Sequence, residues 1–519
     1  MIFNSYEITE GGQKMNIKKI ITATFVLANF VAFAKIDIAT PFNDGVVLQR
    51  DRLVPIWGSA EPGKKITVEF ADNKVTTFVS KEGKWKVELP PMVASKENRI
   101  MRITEVDDGF FFDDVVDTLE IKDVLVGEVW MCAGQSNTDC PIWGGDPRYR
   151  DGDGAMIILS TYKPFVRLVK NQHIASTKPR TGYKAKWVAM TPEMYDLFKN
   201  KVRLPSAMGY YFALELANAL DIPIGIVDSS WGGTNIDAWT PPSGYENVPE
   251  LADIASLPRL EKEEFEISQK KGIYKGKRLY NVYVQQPSLL WNGLVAAYAP
   301  MACRGLIWYQ GCHNSLEPER YCSKMHALYN GWSKEFNNPN FKLYFSQLAP
   351  WKENFVGIAQ AQNKFVSEQK NAEISVLTDA GNFDDIHPNN KRVIAKRLSL
   401  HALKNDYGFS TIKSLSPLFK GVEFKEGKAI MSFENAQSWY VYANNWSLEP
   451  AFEIAGKDGV WHAAKLENID SRGRVKGVTL TVSSTKVPEP VKVRYLYKNR
   501  TAGTVYNEGS LPLGPFISK

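Results

Sequence analysis

The chain predicts an α/β fold: a parallel sheet layered between helices in a three-layer α/β/α domain, with a β domain on either side. Three observations carry that expectation. Between residues 121 and 408 apolar strand-length runs alternate with helix-length segments, the rhythm of a parallel sheet covered on both faces. Before and after that stretch the runs are short, rich in Val, Ile, Thr and aromatics, and separated by turn residues. A chain of 519 residues also exceeds one domain, and the length prior is roughly three.

Residues 1–34 read as a secretion signal with an early false start. Met15-Asn-Ile-Lys-Lys19 is a short basic region, Ile20 to Phe33 an apolar stretch, and Ala32-Phe33-Ala34 a small-x-small cleavage site. Met15 is then the initiator and the mature chain begins near Lys35. The apolar stretch is too short and too polar for a membrane span, and no other segment approaches one. The expected location is periplasmic or secreted.

Residues 35–120 form the first β domain. VVLQR, LVPIWGSA, KKITVEFA, KVTTFVS, KWKVELP and NRIMRITEV are the strand candidates, and Glu61-Pro62-Gly63 and Glu82-Gly83-Lys84 the turns between some of them. Strands this short and closely spaced suggest a sandwich. In residues 121–408 the strands are Val124–Ala133, Ile224–Val227, Leu306–Trp308, Leu343–Gln347 and Ile374–Leu377. The helices are a Ser206-capped segment running to Leu220, then Tyr321–Phe336, Val356–Glu368 and Lys391–Lys404. Residues 240–300 interrupt the rhythm as an insertion, with a charged helical excursion from Arg259 to Arg278. From 409 to 519 short strands return, among them AIMSFEN, SWYVYAN, AFEIAG, VTLTVSS and VKVRYLY, as a smaller β domain.

The net charge of +6 is interspersed, with no basic stripe, which argues against a nucleic-acid partner. Five cysteines make no disulfide scaffold, and Cys132 and Cys303 sit in apolar, core-like contexts. Fourteen Trp and 22 Tyr suit either β-domain cores or a sugar-binding cleft.

Four segments can carry chemistry, each following a predicted strand, where α/β sheets build their ligand crevices. Gly134-Gln135-Ser136-Asn137 places a hydroxyl in a tight turn at the end of Val124–Ala133. Ser136 becomes a nucleophile if a histidine reaches it. Trp231-Gly232-Gly233-Thr234 follows Ile224–Val227, and its glycines leave backbone N–H groups open to an oxyanion. Gln310-Gly311-Cys312-His313-Asn314 follows Leu306–Trp308, and the Asn314 amide can supply a second donor. Asp384-Asp385-Ile386-His387-Pro388 offers an imidazole with two carboxylates beside it. A carboxylate on Nδ1 fixes the tautomer and leaves Nε2 as a base. Together these make a complete acyl-transfer set. Cys312, His313, Cys322 and His326 are zinc-ligand types, but their spacing matches no closed zinc pattern. No metal and no cofactor is expected.

Read together, GQSN at 134–137, WGGT at 231–234, YQGCHN at 309–314 and DIHPNNK at 385–391 resemble the motifs of the SGNH-type hydrolases, specifically the bacterial sialate O-acetylesterase-like proteins. The resemblance extends from the TPFNDGVVLQRD opening to the SLPLGPF close. It implies an SGNH-hydrolase-like fold and a serine esterase that removes O-acetyl groups from carbohydrate, with O-acetylated sialic acid as substrate. An acetylxylan or other hemicellulose deacetylase is one alternative, and a catalytically weak carbohydrate-binding protein another.

The resemblance also implies roles: Ser136 as nucleophile, His387 as base, and Ser136, Gly233 and Asn314 as oxyanion donors. Gln135, Asn137, Trp231 and Gln310 would contact substrate. The chain departs from the family where Cys312-His313 replaces Glu-Ser, which alters the bonds available to hold that loop. The orienting acid is open between two residues. A three-residue separation suits a turn and favours Asp384, whereas a two-residue separation suits extended chain and would make it Asp385.

Overall fold

The computed structural model describes residues 35–107, 114–142, 160–191, 205–270, 282–353, 355–442 and 451–518. The expected signal at 1–34 and the end of the charged excursion, from 271, lie outside these residues.

The central sheet is built on one long strand, Asp114–Gly134. Its second half pairs in parallel with Ile224–Ser230 on one side and Gly305–Tyr309 on the other. Outward from these, Val166–Lys170 adds to the first and Lys342–Ser346, then Ala372–Ser375, to the second, all parallel. Trp187–Ala189 closes one edge in antiparallel sense. The strand that comes first in sequence thus lies in the middle, between strands reached by crossovers in opposite directions. Its carboxyl end is the switch point where such sheets open a crevice. Val124, Leu125, Val126, Val129, Trp130, Met131, Cys132 and Ala133 are all buried, as a strand covered on both faces requires.

The helices stand where the sequence places them, with ends shifted by a turn or less. Ser206 accepts a hydrogen bond from Gly209 N at 3.1 Å and caps Ala207–Leu220. Pro318–Glu335 starts on its proline, a residue whose missing N–H costs nothing in a first turn. Val356–Glu368 and Lys391–Asp406 complete the set.

The N-terminal strands alternate as half-buried strands do: in Lys84–Leu89, Trp85, Val87 and Leu89 turn inward and the lysines and glutamate outward. Ser95–Asp107 pairs with the first half of Asp114–Gly134. The strand that ends at the candidate nucleophile therefore begins in the N-terminal β layer, and one continuous apolar core runs from Ile36 to Leu403. Glu128 is buried within this strand. It accepts from Arg50 Nε at 2.7 Å, Gln49 Nε2 at 3.0 Å and Arg304 Nη2 at 2.8 Å, and its carboxyl stays ionised because these donors outweigh the burial that opposes it.

The C-terminal strands form a seven-stranded sheet with a separate core of Met431, Phe452, Ile454, Leu480, Val482, Val493 and Tyr495, among others. This unit touches the α/β domain beside the histidine segment. Gly503 N donates to Thr378 O at 2.7 Å, and Thr378 Oγ1 donates to Leu513 O at 3.0 Å.

Candidate active site

Gly134 ends the central strand at φ +139°, and a Cβ there would lie 2.4 Å from Tyr309 O, so only glycine lets the serine turn pass its neighbour. Ser136 then opens the short helix Ser136–Asp139 and is half-buried. Its Oγ lies 2.9 Å from His387 Nε2. On the other side of the ring, His387 Nδ1 lies 2.9 Å from Asp385 Oδ1. Residues 251 positions apart in sequence are thus brought into one hydroxyl–imidazole–carboxylate chain.

The carboxylate in that chain is Asp385, not Asp384, which corrects the expectation from spacing. The segment is neither the simple turn nor the extended chain considered above. It holds two successive side-chain turns. Asn382 Oδ1 accepts from the N–H groups of Asp384 and Asp385, at 2.9 and 3.3 Å. Asp385 Oδ1 then accepts from His387 N, also at 2.9 Å. An aspartate bonded to the backbone two residues on carries its carboxylate back over that residue, where it meets Nδ1. Asp384 points away to Arg500 of the C-terminal unit, at 3.1 Å, and is largely exposed.

The other two loops are laced to the serine turn. Trp231 N donates to Gly134 O at 3.0 Å, and a Cβ on Gly232 would come within 3.2 Å of Ser136 Cβ. Gly232 is therefore the residue whose Cα faces the serine, and Gly233, at φ +69°, follows it. Gln135 N donates to Tyr309 O at 3.0 Å, and Gly311 N donates to Gln135 Oε1 at 3.1 Å.

Asn314 is buried, and its amide orientation is fixed by its partners. Oδ1 accepts from Ile236 N at 3.1 Å and Gln310 Nε2 at 2.8 Å, so Nδ2 is the atom that donates to Glu317 Oε1, at 2.6 Å. Glu317 also accepts from Lys324 Nζ at 2.6 Å, which donates in turn to Asp237 Oδ2 at 2.7 Å. Burial lowers the pKa of Lys324, but the two carboxylates more than offset that and raise it above that of an ordinary lysine. Glu317 was not singled out in the sequence. It supplies a carboxylate to this loop, the kind of partner that the Cys312-His313 departure had put in question. Cys312 is pushed up to about 12 by burial, which keeps its thiol protonated. His313 is pushed down by burial.

Three of the four expected substrate contacts have internal work instead. Gln135, Asn137 and Gln310 are buried. Asn137 Nδ2 donates to Ile386 O at 3.1 Å, and Asn137 Oδ1 accepts from the buried Lys391 Nζ at 2.7 Å, which also donates to Pro388 O at 2.6 Å. This clamp holds the histidine segment onto the serine turn. Gln310 Nε2 donates to Thr234 O at 3.0 Å as well as to Asn314. These amides position loops. Trp231 is half-buried and stacks on His173, with centroids 4.2 Å apart. His173 in turn neighbours a buried network missed in the sequence, in which Lys170 lies 2.7 Å from Asp139 and 2.9 Å from Asp228. The zinc-type residues divide into two pairs: Cys312 and His313 sit in the asparagine loop, while Cys322 and His326 lie on the helix Pro318–Glu335.

A Ser-His-Asp chain at the switch point of a parallel α/β sheet is an arrangement found among serine-type hydrolases. Comparison with known proteins gives the family. Residues 126–399 match the carbohydrate esterases described as sialic acid-specific acetylesterases, and the chain belongs to that family. It is 24% identical to the human sialate O-acetylesterase over 520 residues, covering 92% of each chain. It is 23% identical to the mouse protein of the same name over 525 residues, covering 93% of this chain and 94% of that one. Among solved structures, a carbohydrate acetylesterase from Xanthomonas citri superposes with a TM-score of 0.76 at 28% identity, covering 93% of this chain and 99% of that one. The chain is a carboxylic ester hydrolase of the carbohydrate-esterase type.

Proposed function

We propose that this enzyme removes O-acetyl groups from sialic acid, with Ser136 as nucleophile. The observation that carries the mechanism is the chain from Ser136 Oγ through His387 to Asp385, each link 2.9 Å. His387 Nε2 takes the hydroxyl proton as Oγ attacks the acetyl carbonyl. The carbonyl electrons move onto oxygen, and that oxyanion is met by the N–H groups of Ser136 and Gly233 and by Asn314 Nδ2. Glu317 occupies one hydrogen of that amide, which leaves the other for the oxyanion. The tetrahedral adduct collapses, the C–O bond to the sugar breaks, and His387 gives its proton to the departing sugar oxygen. Water, deprotonated by the same imidazole, then attacks the acetyl-serine. Acetate leaves and the serine regains its proton. The Asp385 carboxylate stabilises the imidazolium that forms in each half.

Sialic acid as the sugar is supported by the family match and by relatives named sialate O-acetylesterase across nearly the whole chain. Export by the leader at 15–34 is proposed from its basic, apolar and small-x-small order. Among the described residues no helix is long and apolar enough to cross a membrane. The function is tested by offering the purified enzyme O-acetylated sialic acids and acetylated xylan side by side and measuring released acetate. Release from the sialic acids, lost in Ser136→Ala, is expected. Preference for xylan would replace the substrate, and acetate release undiminished in Ser136→Ala would replace the nucleophile.

A further inference from the structure

Away from the crevice, the helix Pro318–Glu335 carries a second cluster of chemistry-bearing groups. Cys322 and His326, four residues apart, share one face of the helix. Opposite them, at the end of Val356–Glu368, stands Glu368. Lys324 points the other way around the helix, to Asp237 and Glu317, so this face is separate from the one that supports Asn314.

We propose that Cys322, His326 and Glu368 bind a divalent ion of the zinc class, pinning the two helices together. Their ligand atoms all lie within 4.8 Å of one another. Cys322 Sγ and Glu368 Oε2 are 3.6 Å apart. A tetrahedral ion with a zinc–sulfur bond of about 2.3 Å and a zinc–oxygen bond of about 2.1 Å sets those two atoms about 3.6 Å apart. His326 Nε2 is 2.8 Å from the same oxygen, closer than the roughly 3.3 Å that two ligands of one zinc require. The imidazole must retreat by about half an ångström, and its partial exposure leaves room for that. Three protein ligands leave the fourth position to water.

The ligand types select the ion. Thiolate and imidazole favour zinc and its transition-metal neighbours over magnesium or calcium, which take oxygen. Burial, chiefly, and then the Glu368 carboxylate push the Cys322 thiol up to about 11, so without metal it is protonated. A dication reverses that preference: the thiol proton leaves to solvent as sulfur binds, and the imidazole proton, which Nε2 donates to Glu368 without the ion, passes through water to Nδ1 so that Nε2 can bind. Lys364 Nζ, 3.9 Å from Glu368 Oε1, is mostly exposed and free to swing out. The Glu250 carboxylate, held by Ser323 Oγ at 2.9 Å, adds negative charge nearby.

Cobalt(II) is the probe, added to the chelator-treated full-length protein. The expected result is a near-ultraviolet sulfur-to-cobalt charge-transfer band that saturates at one ion per chain. Cys322→Ser abolishes the band and Cys312→Ser leaves it. Glu368→Gln, at a partly exposed position that should fold normally, weakens binding by at least about tenfold, in the range seen when a metal site loses a supporting group. Zinc should raise the Tm of the native protein but not that of Cys322→Ser, because only a ligand of the folded state stabilises it. Hydrolysis of p-nitrophenyl acetate should be equal in the two, which also confirms that the variant folds. No band in the native protein, a band unchanged by Cys322→Ser, or an equal zinc-induced rise of Tm in that variant would each overturn the proposal.

Discussion

Replacing Asp385 by asparagine tests the triad with almost no change in volume. In the structure Asp385 Oδ1 accepts two hydrogen bonds from His387, from N and from Nδ1, each 2.9 Å. An asparagine can keep the backbone bond through its own Oδ1. Its NH2 group, if turned to the ring, favours the tautomer that carries the proton on Nε2. That tautomer points a donor at Ser136 and cannot take the serine proton. In serine hydrolases this change costs about 10⁴ in kcat, or roughly 5.4 kcal/mol at 1.36 kcal/mol per decade. Asp385 is 28% exposed, so water screens part of the charge, while the tautomer effect persists. The expected loss is therefore about 10²–10⁴. Asp384→Asn breaks only an exposed pair with Arg500, worth at most about 1 kcal/mol of stability, and should change turnover less than about threefold. Initial rates of p-nitrophenyl acetate hydrolysis, with the circular dichroism of each variant as a folding control, decide it. A crippled Asp384→Asn beside a mild Asp385→Asn would refute the reasoning.

Further outcomes follow from the same geometry. Asn314→Ala should lower kcat by about 10²–10³, as removal of one oxyanion donor does, with a smaller effect on KM; a change below about threefold would remove Asn314 from that role. Esterase turnover should be unchanged by EDTA, since the proposed chemistry runs through Ser136, His387 and backbone dipoles; loss restored by zinc, in protein whose fold EDTA leaves intact by circular dichroism, would place a metal in the reaction. Turnover should rise with pH as the imidazole sheds its proton, because only neutral His387 can accept from Ser136. His401 is fully buried and its pKa is lowered by that burial to about 4, so the folded protein binds its proton less readily than the unfolded chain. Stability should therefore fall as pH drops from about 6.5 towards 4, by about 3 kcal/mol from this group, and His401→Gln should flatten that part of the urea-unfolding profile.

What was legible in the sequence was what local pattern controls. Gly134, Gly311 and the strands before them announced the loops, because a backbone that passes within van der Waals distance of its neighbour admits no side chain. Ser206 announced a helix start, because its hydroxyl satisfies a first-turn N–H that has no partner within the helix. Tertiary partners were not legible. Nothing local reveals that Lys391 reaches back 254 residues to Asn137, or that Glu317 rather than a residue beside Asn314 holds its amide. For Gln135, Asn137 and Gln310 the resemblance implies substrate contact, and their internal partners lie in distant segments that no local pattern reveals. Here the crossing of three loops leaves backbone groups that these buried amides satisfy. Asp385 was misjudged because Asn382 takes the preceding turn and shifts the geometry by one residue. The N-terminal β layer looked separable, yet Asp114–Gly134 runs through the expected boundary at 120.

The most direct test of the central claim is covalent capture of the nucleophile. A fluorophosphonate probe reacts with a serine only when a neighbouring base has activated it. Mass spectrometry of the digested, labelled protein should find one phosphonyl group, on Ser136, formed in step with loss of acetate release and absent from His387→Ala. A protein that stays unlabelled while fully active, or a label on any residue other than Ser136, would contradict the account.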